Sequence, residues 1–480
     1  MGNSVLPQLC QKLLSSRLRS AIFGSGARVF ALGSQFLVLI LMNRLMPKDA
    51  FGELMIVFTI YRLINLGLGS SFGSIVLYHV SRHSGDHVLD VQLMRCMYLF
   101  GGAVSLAVLG GAVAFAPQIA GLFAKPGMVE WLVNLSPMIV FGTLLQITAS
   151  SFDGRSQVPR SIMVTEVMPN AIRMTGFVLA WLLGAPAYWV AVILWVGPAL
   201  PWCVDVVRVL SPTIKGIGKL TWWDLRYGGW LGSYSMLGQQ LQGIDMLLVG
   251  TFFSSTIAAD YSIASRLASF YPFLLQIVMR TVMPKVGPLF HAGDISGVNT
   301  LLSELSRIAL PMVAGLAGVI IGVAPFVVHM SGDYIPALPI MVALVVAPLI
   351  GTMFVGVEAV LRMSGQGAII AMVSGSSSLI LCLGSFALHK VLGIYALPAS
   401  MALSTALVNY SVTLRVRRMR ITLFNSQRLV MLVPLCITLV TFVICLPSLV
   451  CAILSAVLLL AAAGFLVLPR YQARYLGLFQ

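Results

Sequence analysis

Charge is scarce in this sequence. Of 480 residues only 9% are Asp, Glu, Lys or Arg, while 59% are hydrophobic. A soluble chain carries about a quarter charged residues. This one lacks the polar groups to cover a water-facing surface, so much of its surface must face lipid. Acids are the scarcer sign: 15 Asp and Glu against 30 Lys and Arg, a net charge of +15. On a soluble protein that excess points to nucleic acid; here its placement has a simpler explanation, given below, and no nucleic-acid partner is expected. The sequence also lacks a GxxxxGK[ST] loop and an HExxH pair, so neither ATP hydrolysis nor zincin chemistry by this chain is expected. It has no CxxC. Its seven cysteines (Cys10, Cys96, Cys203, Cys382, Cys436, Cys445 and Cys451) fall mostly inside apolar runs and read as small packing residues. His79, His83 and His87 have a ladder spacing, but Ser84-Gly85 ends the helix between them and no carboxylate pair completes a site, so no metal is expected. Hydrophilic domains are missing too. The longest connections, about 209–223 and 285–300, are short for a catalytic loop. The chain reads as a non-enzyme without cofactors.

What the sequence does have is long apolar runs. They fall at about 20–45, 51–80, 92–116, 130–152, 160–184, 187–208, 224–252, 256–284, 301–330, 336–362, 366–389, 392–414, 428–447 and 449–469. Each is long enough for a helix to cross the hydrocarbon core. The expectation is an all-α polytopic membrane protein of about fourteen spans. Lys12, Arg17 and Arg19 precede the first run with no small-residue cleavage site, which predicts an uncleaved first span. Of the 30 basic residues, 22 fall in the segments that are cytoplasmic if the N-terminus is, and only Arg44, Lys48, Lys125 and Lys390 fall on the other side. This positive-inside bias predicts that both termini are cytoplasmic. It also accounts for most of the net charge, which meets anionic membrane lipid.

Four basic residues remain: Arg28, Arg62, Arg173 and Arg266 all lie well inside spans. A guanidinium at a helix centre costs roughly 3 kcal/mol on the insertion scale, so something must offset it. The intramembrane acids are fewer: Glu166, Asp245 and Glu358.

The chain repeats itself at an offset of about 207. Leu32–Phe36 resembles Leu237–Leu241, Phe51–Leu54 resembles Ala258–Tyr261, and Ser156–Val164 resembles Gly365–Val373. Each match is short, but the offset drifts smoothly. The division this predicts is an N-lobe at 1–209 with spans 1–6, a C-lobe at 210–421 with spans 7–12, and two further spans with a tail at 422–480. Six spans per lobe give parallel repeats about an axis along the membrane normal, an arrangement transporters use for alternating access. Arg266 then maps to position 59, nearly one helical turn from Arg62, so the two arginines are expected at similar depth on facing lobes.

The stretch Met42–Ser71, with Arg44, Pro47, Phe51, Gly52, Leu54 and Leu66-Gly67, resembles the start of span 2 in polysaccharide transporters. Asp260–Ala264 and Pro284 resemble the matching region of the second half, with Ala259 where that turn usually carries glycine. The resemblance is to the polysaccharide and oligosaccharide-lipid branch of the multidrug/oligosaccharidyl-lipid/polysaccharide exporter superfamily. It implies a bacterial inner-membrane flippase that moves polyprenyl-diphosphate-linked oligosaccharides outward. It also implies that arginines on spans 1, 2 and 8 line a cationic cavity and grip the diphosphate; Arg28, Arg62 and Arg266 occupy those spans. Such flippases operate beside a polysaccharide polymerase and a chain-length regulator.

The residues carry two readings each. A guanidinium offers paired donors to phosphate oxygens; the alternative is a buried ion pair. Arg62 lies about 16 Å into its span at 1.5 Å per residue, too deep to snorkel. Arg173 has Glu166 seven residues away on the same predicted helical face, a ready structural pair. Gln35, Gln239 and Gln240 are candidates for sugar hydroxyls or for helix–helix bonds. Asp245 is a candidate for a coupling cation or a counter-ion to Arg266, with Glu166 and Glu358 in similar roles. Two other functions stay open at this stage: a multidrug exporter of the same fold, against which the lack of a carboxylate on span 1 argues, and a membrane-embedded polysaccharide polymerase or ligase.

Overall fold

The computed structural model describes residues 16–82, 87–155, 157–209, 216–238, 240–269, 286, 289–290, 292–331, 334–354, 356, 360 and 367–417. Among these there are helices and turns and no strand. In the first half, α1 is Ser16–Leu45, α2 Lys48–Arg82, α3 His87–Ala114, α4 Ala116–Leu122, α5 Met128–Leu135 and α6 Pro137–Gly154. Then α7 (Val158–Ile162) runs through a π-helical turn at Met163–Val167 into α8 (Met168–Leu182), and α9 spans Tyr188–Val209. In the second half, α10 (Trp222–Leu237) is followed by a π turn at Gln240–Ile244 and by α11 (Asp245–Phe252). The remaining helices are α12 (Ser255–Ala268), α13 (Ile295–Ser331), α14 (Ala337–Met353), α15 (Gly367–Leu392) and α16 (Ala396–Arg417).

Five runs among the described residues are long and apolar enough to cross a membrane: Lys48–Ser81, Val88–Ala114, Met128–Gly154, Tyr188–Val207 and Met372–Arg417. The last is 46 residues long and covers two predicted spans. The chain turns inside it at a 3₁₀ turn, Gly393–Tyr395, where Gly393 takes φ +56°, a conformation glycine adopts without strain. Predicted spans 13 and 14 lie outside the described residues.

Proline shapes the helices, because it removes one N–H and frees the carbonyl it would have bonded. Pro137 begins α6, so the run from Met128 breaks and Ser136 bonds back to Val133 at 3.3 Å. Pro198 and Pro201 lie inside α9. Pro169 follows the π turn in span 5, and Asn170 caps the Glu166 carbonyl there at 2.7 Å.

The helix bounds repeat. Spans 2 and 8 start at Lys48 and Ser255, an offset of 207; spans 3 and 9 at His87 and Ile295, an offset of 208. Spans 4 and 10 start at Met128 and Ala337, an offset of 209, and spans 6 and 12 at Tyr188 and Ala396, an offset of 208. Packing repeats with them. In the first half α6 receives α2, α3 and α9; in the second α14 receives α12, α13 and α16. The fourth span of each half is the one the others surround, and in α14 residues 340–347 are all buried. Such helices are apolar all round because no face meets water.

The described chain separates into two compact units with the boundary between Met236 and Leu237. This lies one helix beyond the division at 209/210 expected from the sequence. The reason is local: α10 packs on α2. A Cβ on Gly228 would stand 2.6 Å from the Ser71 carbonyl oxygen, and one on Gly232 2.3 Å from the Gly67 carbonyl oxygen. Bare backbone at both glycines seats α10 in the first unit.

Candidate functional site

The arginine of span 2 is set by its neighbours. Tyr61 is fully buried, and its hydroxyl donates to the Leu132 carbonyl. That carbonyl ends α5 where the break before Pro137 leaves it without its helical donor. Asn65, one turn on, donates from Nδ2 to the Met138 carbonyl at 3.0 Å and accepts from the Thr143 hydroxyl at 3.3 Å. Tyr61 and Asn65 therefore clamp α2 onto α5 and α6 on either side of Arg62. Tyr61 and Leu63 are buried, but Arg62 keeps part of its surface open. At the start of the same helix, Glu53 lies against Gly127, where a Cβ would stand 2.3 Å from Oε2. Burial pushes the nearby Lys125 ammonium down, and the Glu53 charge pulls it back up.

The second unit has its own version. In α12 every residue from Ala258 to Ala268 is buried except Arg266. Tyr261 donates to Asp245 Oδ2 at 3.0 Å, and Asp245 Oδ1 accepts from the backbone N–H groups of Gly243 and Met246 at 2.8 and 2.7 Å. Asp245 thus closes the π turn at the head of α11 and ties it to α12. Small hydroxyls bind spans 11 and 12: Ser377 and Ser404 lie 2.7 Å apart, and Ser378 donates to the Leu237 carbonyl left open where α10 ends.

Arg173 does something else. Its Nε and Nη2 donate to the Leu194 carbonyl at 3.2 and 3.0 Å. Leu194 lies four residues before Pro198, so its carbonyl has no helical partner. Arg173 therefore caps a proline break in α9, and the pair with Glu166 suggested by spacing does not form. Glu166 is part of the π turn at Met163–Val167, whose wider winding shifts the helical phase before Arg173's helix, so a seven-residue spacing no longer puts the two on one face.

Of the other candidates, Gln35 is exposed on α1. Arg28 and Gln240 are on α1 and the π turn, with side chains outside the description, and Gln239 and Glu358 lie outside the described residues. No group of three His, Cys, Asp or Glu that could hold a metal occurs among the described residues. His79 pairs instead with Asp224, its Nε2 2.7 Å from Oδ1; His83 lies outside the described residues. Cys96, Cys203 and Cys382 are free thiols. Sequence reasoning missed Tyr61, Asn65, the His79–Asp224 pair and the Arg155–Asp90 pair at 3.0 Å. The flanks of Arg62 were the available signal, since a Tyr and an Asn in an apolar span need partners. Gly69–Gly73 also fits G-x-S-x-G, but it lies inside continuous α2 and Ser71 donates to the Gly67 carbonyl at 2.7 Å, which is not a nucleophile elbow.

Residues 41–331 match the family model for polysaccharide biosynthesis proteins. The chain belongs to that family. The match takes in Arg62, Glu166, Arg173, Gln239, Gln240, Asp245 and Arg266, while Arg28, Gln35 and Glu358 lie outside it. No curated relative matches the chain. Among solved structures, it is similar to the lipid II flippase MurJ in an inward closed conformation, at TM-score 0.70 and 14% identity over 93% of this chain and 98% of that one. It is also similar to an inward-facing multidrug resistance MATE family transporter of the MOP superfamily, at TM-score 0.68 and 11% identity over 82% and 95%. An outward-facing member of the MATE family matches at TM-score 0.58 and 14% identity over 84% and 96%. At these identities the likeness shows the fold, which bears out the fold class and family resemblance expected from the sequence.

Proposed function

We propose that this protein is a flippase that moves a polyprenyl-diphosphate-linked oligosaccharide from the cytoplasmic to the outer leaflet of the bacterial inner membrane, by alternating access of a cationic cavity. The observation that carries the reading is the arginine placement. Arg62 and Arg266 stand in related spans of the two halves, each left partly open among buried neighbours. A guanidinium at that depth suits a diphosphate, because it supplies planar paired donors in a low-dielectric setting. Arg28 joins them from span 1. Arg173, with donors turned to Leu194, takes a positioning role, while Gln35, Gln239 and Gln240 are left to meet sugar hydroxyls. Asp245, Glu166 and Glu358 balance the cationic charge.

The fold supports the same reading, since MurJ is a lipid flippase and MATE structures exist in inward- and outward-facing forms. A membrane potential negative inside favours outward movement of an anion. Two charges across about 100 mV gain roughly 4–5 kcal/mol, so the potential alone can bias transport. The lipid-linked substrate and the bilayer are the partners this requires; a polymerase and a chain-length regulator would act on the product. Multidrug export is less well supported, because cationic drugs call for open carboxylates and Asp245 is already bonded at both oxygens.

Native mass spectrometry of the gently solubilised protein tests the proposal. A retained prenyl-diphosphate glycan that disappears in Arg62→Ala supports it and identifies the sugar. Retention of bulk phospholipid alone, unchanged by the substitution, overturns it.

A further inference from the structure

His79 and Asp224 join parts of the chain that are 145 residues apart. His79 is in the last turn of α2 and Asp224 in the first turn of α10. The carboxylate is fixed from behind. Its Oδ2 accepts from the Thr221 backbone N–H at 2.8 Å and the Thr221 hydroxyl at 2.7 Å, and the Asp224 N–H returns a bond to the Thr221 hydroxyl at 3.3 Å. Aromatic rings roof the pair: Tyr78 stands edge-on to His79 at 5.3 Å, and Trp223 stacks on Tyr227 at 5.1 Å. The two partners differ in access. The imidazole is 28% exposed and the carboxylate 3%, so a proton can reach the ring without the carboxylate leaving its seat.

Below the pair, α10 rests on α2 through Gly228 and Gly232, with Ser71 and Gly67 as their contacts. Ile75 lies against Gly228 and Met236 against Gly67, and toward the pair Tyr78 meets the Trp223 and Tyr227 rings at 5.3 and 5.8 Å; these contacts are apolar and non-directional. The His79–Asp224 hydrogen bond at the end of this seam is a directional contact. Other ionisable groups at this end of the unit are Tyr78 and Arg82 on α2, Asp90 and Arg95 on α3, Lys219 before α10, and Arg226 and Tyr227 on it; Asp90 is bound to Arg155. The chain passes into the second unit directly after α10.

We propose that the His79–Asp224 pair is a proton-binding site that latches the first half of span 7 onto the first unit. With the imidazole charged, the bond is charge-assisted and about twice as strong as its neutral counterpart. Histidine is the side chain whose charge changes between pH 5 and 8. Protonation therefore seats α10, and loss of the proton loosens it. The use of this latch in transport rests on the flippase reading; its existence does not.

Hydrogen exchange of the full-length protein in nanodiscs, read at residues 222–237 and corrected for intrinsic exchange, tests the proposal. Protection should fall about tenfold from pH 6 to pH 8, while α6 amides stay unchanged. His79→Gln and Asp224→Asn should each flatten the dependence. Equal protection of α10 at both pH values overturns the latch, as does a His79→Gln protein that keeps the wild-type profile. A pH-responsive α10 in a protein that binds no prenyl diphosphate would keep the latch and overturn the flippase reading.

Discussion

Helices α2 and α12 hold the same place in the two repeats, yet different forces hold them. α2 reaches out with polar side chains: Tyr61 and Asn65 bond carbonyls of α5 and α6. It has that choice because Pro137 interrupts span 4 and opens the Leu132 carbonyl. α12 uses size instead. Ala258, Ala259, Ser262, Ala264, Ser265 and Ala268 are all buried and let it lie close to α14, with Tyr261 on Asp245 as its buried polar tie between helices. Both helices still leave one arginine partly open. The scaffold differs and an arginine is kept, as the proposed diphosphate grip requires.

The sharpest way to break this comparison is to remove one arginine at a time. Arg62→Ala should cut translocation of the lipid-linked sugar on the order of 100-fold at unchanged expression, the loss of a charged bidentate contact. Arg62→Lys should retain part of the rate. Arg266→Ala should behave like Arg62→Ala if the repeat is functional, and a normal rate there would confine the grip to the first half.

The next effect is on stability. In Gly232→Ala the new Cβ would stand 1.9 Å from the Ser71 hydroxyl and 2.3 Å from the Gly67 carbonyl. It should cost about 1–3 kcal/mol as overpacking, read as a lower unfolding temperature. Gly229 has nothing within 4 Å, so Gly229→Ala should be neutral or gain up to about 1 kcal/mol of helix propensity.

The two polar ties come next. Tyr61→Phe leaves the Leu132 carbonyl buried without its donor, and should cost about 1–2 kcal/mol. Tyr261→Phe deprives Asp245 of one donor but leaves two backbone N–H groups on it, so its cost should be the smaller. The reverse order in thermal melts would contradict the assignment of which unit relies on polar reach.

The smallest effect is at the head of α13. Asp294 accepts from the Gly297 N–H and the Ser296 hydroxyl, both at 2.8 Å, and these bonds hold its carboxyl below the usual range. Because the folded value is depressed, its contribution is present above the unfolded pKa of about 3.9 and is lost as pH falls through the folded one. Asp294→Ala should lower the unfolding temperature slightly at pH 7 and converge on the wild type in strong acid.

Much of this was legible in the sequence. Apolar runs gave the helices, because a backbone in lipid must satisfy itself. Three short matches gave the repeat, and the helix starts at Lys48 and Ser255 then recur at its offset. The candidate site was legible only as a set of misplaced charges. Spacing failed for Arg173 because a π turn changed the phase before it. The compact units divide one helix beyond the boundary of the sequence repeat, because glycines at 228 and 232, which leave no hydrophobic signature, decide where α10 rests. For His79 the sequence offers a ladder spacing that completes no metal site, and a linear pattern cannot show a carboxylate 145 residues away.

The most direct measurement is equilibrium binding of a synthetic polyprenyl diphosphate to the full-length protein in nanodiscs, for the wild type, Arg62→Ala, Arg266→Ala and the double variant. The account predicts that each single substitution weakens binding by about tenfold or more and that the double variant binds no more tightly than either single variant. Wild-type affinity in both single variants would contradict it.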